Sequence, residues 1–118
     1  MARVVLCSLF YMGDVMLLKM GVDISRLNRE IRKMLRLIDN IFRRNGCGEA
    51  VVTSTYEGTH SQSSLHYCND AIDFRNPAMG WEKKNELLED LKLSLGNDFD
   101  VVFEGNHYHI EYDPKGGR

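Results

Sequence analysis

Two short stretches of this chain combine histidine with acidic side chains. They span residues 64–73 and 104–111 and contain five candidate site residues: His66, Asp73, Glu104, His107 and His109. Imidazole nitrogens and carboxylate oxygens are ligands of zinc, and a catalytic zinc takes three protein ligands and keeps a fourth position open. The two stretches therefore predict a divided site for one zinc ion. The remaining histidine, His60, lies in a polar segment, where an exposed loop side chain is the simpler interpretation.

The second stretch belongs to a predicted β-hairpin. Residues 99–104 and 107–112 have the pattern of strands, and the Gly-Asn pair between them is a strong hairpin signature. In such a hairpin Glu104 stands opposite His107, and the two-residue period of a strand places His109 on the same face. Burial of three such groups without partners would be costly. This face is therefore predicted to do chemistry rather than to form the core.

The first stretch ends in a predicted strand, residues 71–75. Its alternation sends Asp73 and Arg75 to one face and apolar side chains to the other. Asp73 would face the site, and the spacing to His66 suits a ligand at a loop end that turns into the strand. Asn69 can adopt the positive φ that such a turn demands. Arg75 fits two interpretations equally, a binding group for a substrate carboxylate and a surface salt bridge.

Two amphipathic helices and one further strand must position these stretches. Apolar residues at three- and four-residue steps predict a helix over residues 23–44, capped by Asp23 or Ser25, and a second helix over residues 81–95 with a stripe of buried leucines. A β-branched run predicts a strand over residues 50–55. We expect an α+β fold, with a small antiparallel sheet and the two main helices packed on one side of it.

Length and composition are those of an ordinary globular domain. The 118 residues fit one core, 43% of them are hydrophobic, 27% are charged, and the net charge is −2. This charge gives no general attraction to nucleic acid or to an anionic membrane surface, so neither is expected as a partner. Three cysteines without a CxxC pair argue against a disulfide scaffold and fit synthesis in a reducing compartment.

The N-terminus is the least defined part of the sequence. The apolar run over residues 4–12 is too short to span a bilayer. No small-residue cleavage site follows it, which argues against an export signal but leaves that alternative open. We expect one domain over residues 1–118, with residues 1–20 either packed on it or forming a poorly ordered or peripheral extension.

The two stretches together resemble a known enzyme family. Residues 64–73, SLHYCNDAID, resemble the SxHxxGxAxD motif of the M15 zinc peptidases, and residues 107–109, HYH, resemble their HxH signature. The order of elements from about residue 22 to residue 114 also follows that family, although Asn69 stands where the family usually has glycine. The family includes D-alanyl-D-alanine carboxypeptidases, dipeptidases and phage endolysins, and it shares the fold of the hedgehog signalling domain.

The resemblance implies a zinc peptidase that cleaves peptidoglycan stem peptides, often next to a D-amino acid. It implies one Zn²⁺ held by His66, Asp73 and one histidine of the hairpin. In the HxH branch of the family His109 is this ligand. In the ExxH branch Glu104 is the base and His107 is the ligand. We favour His109, because the residues after it match those that follow the ligand in the family.

The mechanism that we predict assigns proton transfer to Glu104, oxyanion stabilisation to His107, and substrate binding to Ser64 and Arg75. We expect a monomer that is cytoplasmic as synthesised and acts on the cell wall once released or exported. One alternative is a non-catalytic zinc-binding module of the same fold that binds peptide or cell wall. Another is a non-haem iron enzyme, although the short HxD pairing usual in such enzymes is missing.

Overall fold

The computed structural model describes residues 16–56 and 69–116. These residues form, in chain order, β1 (Leu17–Leu18), α1 (Arg29–Arg44), β2 (Val51–Ser54), β3 (Ala71–Arg75), α2 (Trp81–Leu95), β4 (Phe99–Phe103) and β5 (His107–Tyr112). The predicted α+β class is confirmed, and the predicted bounds of β3 and α2 match the structure. No helix within the described ranges is long and apolar enough to cross a membrane.

The strands form one sheet in the order β1-β2-β3-β5-β4. The pairs β2–β3, β3–β5 and β4–β5 are antiparallel, whereas β1 runs parallel to β2. The prediction of an antiparallel sheet is therefore wrong at this edge, and the sheet is mixed. Bonds from Leu17 N–H to Ala50 O and from Lys19 N–H to Val52 O, both 2.9 Å, hold the parallel pair. Parallel neighbours require a crossover connection, which α1 provides.

Helix α1 begins at Arg29 and not at residue 23 as the apolar pattern predicts. The carboxylate of Asp23 accepts the N–H of Ser25 at 2.8 Å, so it stabilises a turn ahead of the helix. Asn28 occupies the N-cap position with an extended backbone. The helix ends where expected, because Gly46 follows with a φ of 79°, a conformation that glycine adopts without steric penalty.

Both helices pack on one face of the sheet, as predicted. In α2 the buried residues are Leu87, Leu91 and Leu95. Leu88, which the pattern places in the buried stripe, is only partly buried. The side chains that the sheet contributes to this core are Val52, Ile72, Phe74, Phe99, Val101, Tyr108 and Ile110. Full burial of an aliphatic or aromatic side chain contributes roughly 1.5–3 kcal/mol, so this face holds the helices on the sheet.

The opposite face of the sheet carries the polar residues of β5. Tyr108 and Ile110 are fully buried in the core, whereas His107, His109 and Glu111, which alternate with them, are partly exposed. The predicted alternation of the hairpin is therefore confirmed. The core holds one side of β5 and leaves the other side to the candidate site.

A buried carboxylate joins α1 to the start of β2. Asp39 is only 2% exposed. Its Oδ1 accepts the N–H of Ala50 and its Oδ2 accepts the Nε–H of Arg43, both at 2.8 Å. A charged group in this position requires such partners, because an unpaired buried charge costs several kcal/mol. Asp39 therefore links α1 to the residue that precedes β2.

Replacing Asp39 should destabilise the fold. We expect Asp39→Ala to lower the free energy of unfolding by about 2–3 kcal/mol, because the buried N–H of Ala50 loses its acceptor. Asp39→Asn keeps a side-chain oxygen for that N–H and should cost about half as much. Urea unfolding followed by circular dichroism measures both values. Equal losses for the two variants would show that the bond to Ala50 does not contribute.

Candidate functional site

Strand pairing brings four of the predicted site residues onto one face: Asp73, Arg75, His107 and His109. Asp73 of β3 lies directly opposite His109 of β5, and Arg75 lies opposite His107. At the turn between β4 and β5, the Glu104 N–H donates to the carbonyl oxygen of His107 at 2.9 Å. The hairpin prediction is thus correct in its turn and in its register. Two further predicted site residues, Ser64 and His66, lie outside the described residues, as does His60.

The entry to β3 contains the predicted left-handed turn. Asn69 has a φ of 65°, which asparagine tolerates better than most residues. Its carbonyl accepts the N–H of Asn28 at 2.9 Å. The next residue, Asp70, is buried and accepts the side-chain amide of Asn28 at 2.6 Å, and its carbonyl accepts the N–H of Tyr112 at 2.8 Å. The start of α1 and the end of β5 therefore hold the segment that leads into Asp73.

His109 lies between two carboxylates. Its Nδ1 is 3.0 Å from Oδ1 of Asp73, and its Nε2 is 2.7 Å from Oε1 of Glu111. The side chain of His109 is 14% exposed. Burial lowers the pKa of His109, but the hydrogen bonds with Asp73 and Glu111 outweigh it and raise the pKa to about 9. The sequence pattern places Glu111 on this face but assigns it no role.

His107 shares the same aspartate. Its Nε2 is 3.7 Å from Oδ2 of Asp73 and 2.8 Å from Oε1 of Glu104. Its Nδ1 contacts Oδ1 of Asn106 in the turn. The side chains of His107 and Glu104 are 27% and 47% exposed. Both side chains are thus partly open to solvent.

The donor chemistry of this cluster fits zinc. Two ligand atoms of a tetrahedral zinc ion lie about 3.3 Å apart, given bonds of about 2.0–2.1 Å. The distances from Asp73 to His109 and His107, 3.0 and 3.7 Å, lie on either side of that value. Asp73 and the two histidines do not form a closed three-ligand group among the described residues. The cluster can therefore supply an aspartate and one histidine, and a third ligand must come from elsewhere.

A separate acidic group could also hold a metal ion. Asp100, Glu111 and Asp113 each offer a carboxylate oxygen, and these oxygens lie within 4.8 Å of one another. Asp100 and Glu111 pair across the β4–β5 ladder, so strand alternation could have found them. Oxygen ligands alone suit Mg²⁺ or Ca²⁺ better than zinc. Asp100 also forms an ion pair with Lys115 at 3.0 Å, so part of the negative charge is already compensated.

An open cleft of about 350 Å³ lies beside Asp73. Its lining residues are Lys19, Thr53, Asp73, Arg75, Asn106 and His107. The sequence pattern assigns no site role to Lys19 or Thr53. Lys19 enters the cleft because β1 pairs in parallel with β2, and no local pattern in the sequence indicates that pairing. The candidate metal ligand Asp73 therefore lies in the wall of a cleft that opens to solvent.

Comparisons of the chain with protein-family models, with curated proteins and with solved structures gave no match.

The raised pKa of His109 predicts that the stability of the metal-free protein depends on pH. In an unfolded chain histidine titrates near 6.5, so below that pH the charged His109 stabilises the folded state fully. Between about 6.5 and about 9 the unfolded state loses its proton first. The free energy of unfolding should therefore fall by roughly 3 kcal/mol over this range.

Urea unfolding in the presence of a chelator, repeated across this pH range, measures the effect. The variant His109→Asn is the control, because it lacks the titrating group and should lose this part of the pH dependence. A wild-type stability that stays level or rises over the same range would contradict the hydrogen-bonded arrangement of His109.

Proposed function

We propose that the protein is a zinc-dependent peptidase that hydrolyses peptidoglycan stem peptides at a bond next to a D-amino acid, as D-alanyl-D-alanine carboxypeptidases do. The observation that carries the proposal is the position of Asp73, whose two carboxylate oxygens face His109 and His107. The resemblance of residues 64–73 and 107–109 to the peptidase motifs supplies the substrate class. The same resemblance supports a hedgehog-like arrangement of the α+β fold.

The proposed zinc ligands are His66, Asp73 and His109. His109 is the better candidate of the two histidines in β5, because Glu111 holds its Nε2 and leaves Nδ1 toward Asp73. Metal-binding histidines commonly donate their other ring N–H to a carboxylate, which fixes the ring and the tautomer. In His107 the nitrogen that approaches Asp73 is Nε2, which already contacts Glu104, and the other nitrogen, Nδ1, contacts the amide oxygen of Asn106 and not a carboxylate.

When bound, zinc would polarise the scissile carbonyl and lower the pKa of a water molecule toward 7. The other proposed roles belong to side chains of the protein. Glu104 accepts the proton of the attacking water and passes it to the leaving amine, for which its exposed position is suitable. His107 stabilises the negative charge that develops on the substrate oxygen. Ser64 and Arg75 are proposed to bind the substrate.

We also propose a partner, an oligomeric state and a location for the enzyme. The partner is the stem peptide, the protein acts as a monomer, and it reaches the cell wall after release or export from the cytoplasm. A non-catalytic zinc module of the same fold would use the same ligands to bind peptide. Turnover distinguishes the two functions, since only the peptidase requires Glu104 to transfer a proton.

The activity test uses purified protein loaded with zinc and a panel of defined stem peptides. We expect cleavage next to a D-amino acid, loss of cleavage with a chelator, and recovery when zinc is added. In Glu104→Gln the rate should fall by about 10²–10⁴-fold, the usual contribution of a general base, while the zinc content is unchanged. Mass spectrometry of the products and metal analysis provide the two measurements.

If wild-type protein with bound zinc cleaves none of the peptides, the peptidase proposal fails and the binding module takes its place. Iron in protein purified without added metal, together with oxygen-dependent turnover, would indicate the iron enzyme instead. Glu86→Gln is a matched control, because Glu86 is an exposed residue of α2 that pairs with Lys83 and should leave the rate unchanged.

Metal affinity can identify the ligand in β5. We expect His109→Ala to weaken zinc binding by more than about 100-fold and His107→Ala by less than about 10-fold, as for a ligand and a neighbouring residue. Glu111→Gln, which weakens the support of His109, should fall between them at about 10–100-fold. Competition with a fluorescent zinc chelator measures all three. The reverse order for the two histidines would assign the metal to His107.

A further inference from the structure

Two cations line the cleft beside Asp73. They are Lys19 and Arg75, and both side chains are exposed. Within the described part of the chain, neither has a salt bridge, whereas other exposed cations do: Arg44 binds Asp90 at 2.6 Å, and Lys115 binds Asp100 at 3.0 Å. The salt bridge expected as one interpretation of Arg75 is thus absent among these residues. The cleft therefore presents positive charge that the described protein does not neutralise.

The sheet fixes the position of both cations. Arg75 follows Asp73 by two residues on the same face of β3, a step of about 7 Å, and it pairs with His107. Lys19 is anchored by its backbone bond to Val52 of β2. Val52 in turn pairs with Phe74, the residue between Asp73 and Arg75. Lys19 and Arg75 therefore lie at the same level of the sheet, next to the candidate metal ligand.

The charges around this position favour an anion. Asp73 is the cleft's one carboxylate among the described residues, and it already contacts His109. A guanidinium group and an ammonium group together suit a carboxylate, which accepts charge-assisted hydrogen bonds from both. One residue of a peptide spans about 3.3–3.6 Å. A carboxylate held by Arg75 thus lies one or two residues from a carbonyl placed at Asp73.

We propose that Lys19 and Arg75 form a subsite for a carboxylate of the peptide substrate, on the leaving-group side of the scissile bond. The inference rests on the proposed function in taking a peptide as the ligand, and it adds the group that selects the bond. The carboxylate has two sources, the C-terminal α-carboxylate of the peptide or the side chain of an acidic residue next to the cut. The first source corresponds to a carboxypeptidase and the second to an endopeptidase.

The test measures binding, so that it does not depend on turnover. Glu104→Gln protein loaded with zinc is titrated with acetyl-D-Ala-D-Ala, with its C-terminal amide, and with a peptide amide that ends in D-Glu. Calorimetry or NMR shifts give the dissociation constants. We expect a carboxylate-bearing peptide to bind about 10–100-fold more tightly than the plain amide, the range for charge-assisted hydrogen bonds.

Variants then identify the residues that cause the preference for a carboxylate. In the same background Arg75→Gln and Lys19→Gln should each reduce it, and the double variant should abolish it, while binding of the plain amide stays the same. Arg29→Gln is the matched control, because Arg29 is exposed at the start of α1 and does not line the cleft. Tight binding of the free acid assigns the C-terminal carboxylate, and tight binding of the D-Glu amide assigns the side chain.

Equal binding of the three peptides, no measurable binding of any, or a preference that survives the double variant would each overturn the subsite. The peptidase proposal fails separately, when protein with intact Glu104 cleaves none of the peptides. In that case a carboxylate preference that depends on Arg75 and Lys19 would still establish the subsite in a binding module.

Discussion

The carboxylate of Asp73 is the group on which the rest of the candidate site depends. It is only 6% exposed, and a charge so placed is costly unless neighbouring groups compensate it. His109 contacts one of its oxygens and His107 approaches the other. This sharing is possible only in the register that pairs Asp73 with His109. A shift of one residue would turn Asp73 into the core.

The core side of the sheet maintains that register. Tyr108, between the two histidines, is fully buried and pairs with Phe74. Its ring lies 4.9 Å from Phe103 and 6.0 Å from Phe42, between centroids, so it joins both neighbouring elements. Its hydroxyl also donates to the carbonyl of Lys84 in α2 at 3.2 Å. Packing on one face of β5 therefore determines the chemistry presented on the other face.

Local patterns in the sequence are sufficient to predict the hairpin, β3 and α2. In each case the signal is the period of apolar residues together with a turn residue, all within about ten positions of the chain. The structure contains the element that this signal predicts. The alternation of β5 alone separates His107 and His109 from Tyr108 and Ile110. This short-range information is enough to predict that Glu104 and the two histidines share one face of the hairpin.

Local patterns in the sequence do not predict contacts between residues that are far apart along the chain. The parallel pairing of β1 involves only two residues, and no residue of β1 has a pattern that specifies its partner, so the position of Lys19 cannot be predicted. The start of α1 is set by Asn28, which binds the turn before β3, and this contact outweighs the apolar period that begins earlier. The alternation of β5 predicts which face Glu111 lies on, but it does not predict the contact between Glu111 and Nε2 of His109.

The order of strands has a consequence for how such a site could diversify. His107 and His109 are on β5, which is hydrogen-bonded on both sides, whereas Lys19 follows β1, a two-residue strand at the edge of the sheet. Interior strands are the last to open, and short edge segments open readily. Mutations near β1 would thus be tolerated far better than mutations in β5. Residues near β1 can therefore change without altering β5, so new ligand preferences could evolve at this edge while Asp73, His107 and His109 keep their arrangement.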